Sequence, residues 1–205
     1  MFAGHFGLAA IVKAKAPEVP LWALMVSTQL LDIAFVPLLL SGAETMEPIG
    51  HGGYGQNIIH ADYTHSLIGA LVLSLLAGLL AWLLWNKRSA VIIGSLSFSH
   101  WLFDLIFHHS DMPILPGNIG DFPLLGLRLW ELPALSAAVE IVLIAAGALL
   151  YFRSVLARSR RQAETPANGN LTLKQNRNSP VRAYWAGAIM TALLILSFAT
   201  DYFNL

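Results

Sequence analysis

Apolar residues gather into five long stretches separated by polar or glycine-rich breaks: Leu21 to Leu40, Ser66 to Trp85, Ala90 to His109, Leu132 to Phe152 and Tyr184 to Phe203. Each approaches the roughly 20 residues a helix needs to cross a hydrocarbon core. The pattern predicts an all-α membrane bundle of about five spanning helices. The opening MFAGHFGLAAIVKAKA is too short to span and lacks a basic start followed by a small-residue cleavage site. It is expected to form a short re-entrant or interfacial helix. Three regions follow: a membrane domain over residues 1–152, a polar linker over 153–182, and a last helix over 183–205. From Arg158 to Val181 the chain has no apolar period and is rich in asparagine, so a disordered linker is expected. Between the first two spans, SGAETMEPIGHGGYGQNIIHADYTHS favours turns over regular structure. The proline-rich segment from Ser110 to Pro133 is expected to fold over the end of the bundle. The final helix, apolar up to Thr200 and Asp201, should be peripheral, and no internal repeat is visible.

Composition agrees with this pattern. Hydrophobic residues make up 56% of the 205 and charged residues 12%, about half the charge of a usual soluble domain. Lys13, Lys15, Lys87, Arg88, Arg153, Arg158, Arg160, Arg161, Lys174, Arg177 and Arg182 all fall on one side of the predicted spans, whereas the opposite loops hold Arg128 as their single cation. The positive-inside rule then places the N-terminus and the linker in the cytoplasm and the histidine-rich loops outside. No basic surface interleaved with aromatics is present, so nucleic acid is not an expected partner. The bilayer is the expected surrounding. Trp82, Trp85, Trp101, Trp130, Trp185 and Tyr202 fit an interfacial aromatic belt.

The chemistry lies in the ionisable residues set among apolar ones. In HWLFDLIFHHSD, residues His100, Asp104, His108 and Asp111 recur at helical spacing, within a stripe roughly 80° wide. Such groups at membrane depth are costly unless they pair, ligate or line a polar cavity. His5, Asp32 in LLDIAFVPLLL, His65 and Glu140 share that predicament, Glu140 with no basic residue one turn away. A divalent ion would satisfy all of them. The chain has no cysteine, so any metal must be held by nitrogen and oxygen. Glu44, Glu47, Asp121, Glu131 and Asp201 are expected to be solvated, and so is His51.

An early Gly-His, an Asp in the first span, Thr-His-Ser at the start of the second and His-x-x-x-Asp in the third together resemble the bacterial membrane-bound metal-dependent hydrolases, often labelled permeases. That group is distantly similar to the zinc-dependent phospholipase C and P1 nuclease fold, and the likeness covers roughly residues 1–150. The resemblance implies an inner-membrane enzyme with two or three zinc ions, manganese being an alternative. One ion would be held by Asp32, His65, His100 and Asp104, and a second by Asp104 and His5. A third would use His108 or His109 with Glu140. Asp104 would bridge two ions, and Asp62 would act as general base or hold an imidazole through its second nitrogen. The group's usual basic residue beside Thr-His is replaced here by Asp62, in HADYTHS, which removes the natural phosphate anchor.

The implied activity is metal-assisted hydrolysis of a lipid-borne or membrane-proximal ester, a phosphoester above all. Three other readings stand beside it: a non-catalytic subunit with membrane protein partners, a haem-binding protein, and a transporter. Haem would leave Asp32, Asp104 and Glu140 without work, and the chain shows neither the repeated halves nor the broken helices common in transporters.

Overall fold

The computed structural model describes residues 2–49, 54–164 and 179–203. Seven α-helices account for most of them: α1 (Ala3–Lys15), α2 (Leu21–Thr28), α3 (Leu30–Ser41), α4 (Leu67–Leu84), α5 (Lys87–Phe107), α6 (Pro133–Glu164) and α7 (Ser179–Phe203). Helices α4 to α7 are each long and apolar enough to cross a membrane. Ser66 and Asn86 start α4 and α5 by accepting the Gly69 and Ser89 N–H groups, as expected of capping residues.

The first predicted span is broken, contrary to the expectation of unbroken helices. Helices α2 and α3 meet at Gln29 with a bend of 53°, and together they too pass the test for a membrane span. Three consecutive polar residues cause the break. The hydroxyls of Ser27 and Thr28 donate to the Leu24 and Met25 carbonyls, each three residues back, a competition with the helical ladder that bends helices.

Helix α1 is embedded in the bundle. It runs alongside α6 in the same direction, Gly4 meeting Glu140 and Gly7 meeting Leu143 and Gly147. A Cβ on Gly7 would fall 2.7 Å from the Leu143 carbonyl oxygen, so glycine is what lets the two backbones approach, a familiar device between membrane helices. With 13 residues, α1 is about 20 Å long. It therefore carries His5 at one end of the bundle and Lys13 and Lys15 at the other. Lys13 Nζ closes the α1–α2 turn by donating to the Pro17 and Val19 carbonyls at 2.7 Å.

Two further expectations change. The loop between α3 and α4 contains a hairpin, β1 (Thr45–Pro48) paired antiparallel with β2 (Asn57–His60). Helix α6 continues to Glu164, because Arg153 to Glu164 is composed mainly of good helix formers, and Val155 and Ser159 still pack against the bundle. Of the rest of the predicted linker, residues 179–182 form the start of α7, which begins four residues earlier than expected, and residues 165–178 lie outside the described residues, as does His51. Helix α7 packs on α6 and α1 through Met190 and Leu194 against Ile144, Ala148 and Ala3.

The basic residues Lys13, Lys15, Lys87, Arg88, Arg158, Arg160 and Arg161 stand at helix ends on one side of the bundle. Below the histidines, toward that side, the interior is closed by Ala9, Val19, Leu24, Ala81, Ile93 and Leu96.

Candidate metal centre

Asp104, 2% exposed, stands at the centre of four imidazoles. Its Oδ2 lies 2.9 Å from His100 Nε2 and 3.6 Å from His65 Nε2, and its Oδ1 lies 3.4 Å from His5 Nε2 and 3.9 Å from His108 Nε2. Asp32 Oδ1 faces the first pair, 3.4 Å from His65 Nε2 and 3.5 Å from His100 Nε2. Five separate elements of the chain meet here: α1, α3, the turn before α4, α5 and the turn after α5.

The His100–Asp104 pair comes from one helix face, as its spacing predicts. The longer stripe does not survive, because α5 ends at Phe107 and His108 is extended. His108 and Asp111 reach the cluster from a turn. That turn is held by Met112 pairing with Leu125, by the Leu127 N–H on the Leu105 carbonyl, and by the Arg128 N–H on the His108 carbonyl.

Three of the imidazoles are anchored in the same way. His100 Nδ1 donates to the Thr28 carbonyl at 2.6 Å, at the break between α2 and α3. His108 Nδ1 donates to Asp111 Oδ1 at 3.2 Å. His65 Nδ1 lies 2.9 Å from Thr64 Oγ1, whose hydroxyl proton goes to the Glu44 carboxylate, so the oxygen is left to accept from the imidazole. Each ring thus carries its proton on Nδ1 and turns the Nε2 lone pair inward. Outer hydrogen bonds of this kind are what fix the tautomer and orientation of metal-ligating histidines. The Trp101 indole also donates to the His65 carbonyl at 2.8 Å.

The distances identify what the inward atoms are suited to. N–H···O bonds fall between about 2.7 and 3.2 Å, and most of these contacts are longer. Ligands about 2.05 Å from a tetrahedral zinc ion stand about 3.3–3.4 Å from one another. The contacts of Asp32 with His65 and His100, at 3.4 and 3.5 Å, and of Asp104 with His65, at 3.6 Å, lie close to that edge length. Moreover, His100 Nε2 and both ring nitrogens of His5 are buried without a hydrogen bond among the described residues. The inward lone pairs of His65, His100 and His108, with the unbonded ring nitrogens of His5 beside them, suit a cation. Two overlapping sets, Asp32–His65–His100 and His5–His100–Asp104, have all their donor atoms within 4.8 Å. Both could hold a metal ion.

Glu140 is fully buried as expected, but its partners are the Gly4 N–H at 2.8 Å and the Tyr54 hydroxyl at 2.7 Å. It answers an unsatisfied amide at the start of α1 and is not gathered into either set. Burial and the adjoining carboxylate push the Tyr54 phenol up, so it remains the donor in this bond. His109 also turns away, toward the Gly55 carbonyl at 3.0 Å. The third ligand set, of His108 or His109 with Glu140, is therefore not assembled among the described residues.

Asp62 makes no hydrogen bond to an imidazole of the cluster; its main-chain carbonyl takes the Gly117 N–H. The supporting role expected of it belongs to Glu44, which is 1% exposed rather than solvated and accepts from the Tyr63 and Thr64 amides and the Thr64 hydroxyl. Asp201 accepts from the Phe2 amide at 3.3 Å. Trp101 and Trp130 are buried and so leave the aromatic belt, Trp130 lying 4.3 Å from the His108 ring.

A cavity of about 390 Å³ reaches the cluster, with Asp32, His65, Asp104 and His108 on its floor, Phe2, Phe35, Val36, Met46 and Ile59 on its walls, and Tyr54, Asn57 and Asp201 as polar groups among them. The Asp32 side chain is 37% exposed. The cluster is accordingly open on the α3 side and sealed toward the basic end of the bundle. Comparison with family models, curated proteins and solved structures returned no match.

Proposed function

We propose that the protein is a metal-dependent hydrolase of the membrane, acting on a lipid-borne or membrane-proximal ester, a phosphoester above all. The observation that carries this reading is the carboxylate of Asp104 set between two groups of imidazoles, one oxygen toward each. On the Oδ2 side, Asp32, His65 and His100 complete four ligands, the number expected of a closed site. On the Oδ1 side, His5 at 3.4 Å and, farther off, His108 at 3.9 Å would bring the number to three, which is the pattern of a site that keeps a position open for reaction. Zinc, or manganese, bound there would polarise an ester oxygen and bring a water's pKa to near neutrality.

The chain's own residues would do the rest. Asp104 would hold both seats at a fixed separation, His108 and Asp32 would flank the substrate in the cavity, and Phe2, Phe35, Val36, Met46 and Ile59 would accept hydrocarbon. Glu44 through Thr64, Asp111, and the Thr28 carbonyl would keep the imidazoles in the ligating tautomer. This division of labour accords with the likeness to bacterial membrane-bound metal-dependent hydrolases.

The bent first span is also a feature of transporters, but the apolar closure beneath His100 gives an ion no path onward. Haem fits less well, since the Asp104 carboxylate occupies the space between the imidazoles.

Elemental analysis of the full-length protein purified in detergent tests the reading, together with hydrolysis of dioctanoyl phosphatidic acid. Wild type should carry two zinc or manganese ions per chain, Asp104→Ala should lose at least one, and activity should fall at least 100-fold in the variant and on chelation. Protein free of these metals, or activity indifferent to chelators, would overturn it.

A further inference from the structure

A second and larger cavity, of about 910 Å³, adjoins the metal cavity and shares Gly55 and Trp130 with it. Its polar lining comes from Gln56, His109, Ser110, Arg128 and Glu131. Arg128 is the one lysine or arginine between residues 89 and 152, and residues 16–86 contain none. The bundle end that holds the cluster is otherwise acidic: Asp32, Asp104 and Asp201 line the metal cavity, and Glu44, Asp111 and Glu140 are buried around it. An anionic substrate approaching it meets a guanidinium at Arg128, the one lysine or arginine side chain lining either cavity.

The position of that charge is tied to the metal cluster. Arg128 takes a left-handed backbone with φ of 63°, and its amide donates to the carbonyl of His108 at 2.8 Å. Its guanidinium, 59% exposed, pairs with the 45% exposed Glu131. Exposed pairs of this kind are weak, so the carboxylate is readily exchanged for a better acceptor. A planar fork of five donors suits a phosphoryl group above all.

We infer that this vestibule is the subsite for a phosphoryl dianion, with Arg128 as its recognition residue. The dianion belongs to a lipid headgroup or to a soluble phosphate monoester. The inference rests on the hydrolase reading for its purpose and supplies the anchor that Asp62 displaces from the Thr-His motif. Phosphate held at Arg128 stands one cavity away from the open seat beside His108, so the vestibule selects substrates by charge before they reach the cluster.

The test is calorimetric titration of the full-length protein in detergent after chelation of all metal, which separates it from any failure of the hydrolase reading. The probes are dioctanoyl phosphatidic acid, glycerol 3-phosphate and neutral dioctanoylglycerol. Arg128→Gln is expected to weaken phosphatidic acid binding about 10- to 100-fold and leave dioctanoylglycerol binding unchanged. Arg128→Lys should retain part of the affinity, and Glu131→Gln should raise it by freeing the guanidinium. Tighter binding of phosphatidic acid than of glycerol 3-phosphate assigns the group to a lipid, and the reverse assigns it to a soluble ester. Equal binding of phosphatidic acid by wild type, Arg128→Gln and Glu131→Gln overturns the subsite, as does equal weakening of the neutral lipid.

Discussion

Thr64→Val removes a single oxygen and keeps the shape of the side chain, so it isolates the relay between Glu44 and His65. In the folded protein that oxygen accepts from His65 Nδ1 at 2.9 Å and donates to the Glu44 carboxylate. Glu44 keeps two donors, the amides of Tyr63 and Thr64, so most of its stabilisation remains. His65 Nδ1 is left buried with no acceptor, which costs about 1–3 kcal/mol. The ring escapes this penalty by moving its proton to Nε2 or by turning, and either change withdraws the lone pair from the cluster. Expressed as metal affinity, 1.4 kcal/mol per factor of ten gives a loss of about 10- to 100-fold, the range found for supporting partners of metal ligands. The assay is competition for zinc against a chelator of known affinity, alongside thermal melting of the metal-free protein. Zinc affinity within twofold of wild type, with the fold intact, would refute the claim that Thr64 sets the state of His65.

Gly7→Ala should displace α1 from α6, because the new methyl meets the Leu143 main chain; a loss of about 1–3 kcal/mol, despite alanine's better helix propensity, would show as a lowered melting temperature and weaker metal binding through His5. Glu140→Gln should leave the metal content unchanged, since Glu140 serves Gly4 and Tyr54, whereas Glu140→Leu, which leaves both donors unanswered, should destabilise the protein by about 2–4 kcal/mol in denaturation followed by circular dichroism.

The candidate ligands in apolar helices were legible because their own helices offer few polar partners. Asp32 sits in LLDIAFVPLLL, and His100 and Asp104 have little but each other as polar partners one turn apart, so each needed a partner from another element; that the partners are His65 and His5 appears only in the fold. Glu44 was opaque for the opposite reason. It sits in a polar, glycine-rich loop where a carboxylate is ordinarily wet, and the residues that bury it come 19 and 20 positions later. Glu140 showed its need for a partner but not the partner's identity, because a backbone amide in α1 and a loop tyrosine leave no mark on its own helix. His108 and Asp111 kept helical spacing while the helix itself stopped, since a spacing of three or four residues is met equally by a tight turn. The break at Gln29 had a visible signal in Ser27, Thr28 and Gln29. Its consequence, a freed carbonyl that holds His100, depends on a helix some seventy residues downstream and could not be read locally.

The pairing of α1 with α6 constrains how the molecule is made. Asp32, His65, His100 and Asp104 have all been synthesised by the time α5 is complete. His5 emerges before any of them, yet the backbone groove that seats its helix belongs to α6, and the Gly4–Glu140 contact closes a separation of 136 residues. Contacts so distant in sequence form late. During insertion, a nascent chain would own one complete set of ligands while its first helix still waits for a place to dock. On the proposed reading, the seat that His5 completes would be the last to come into being.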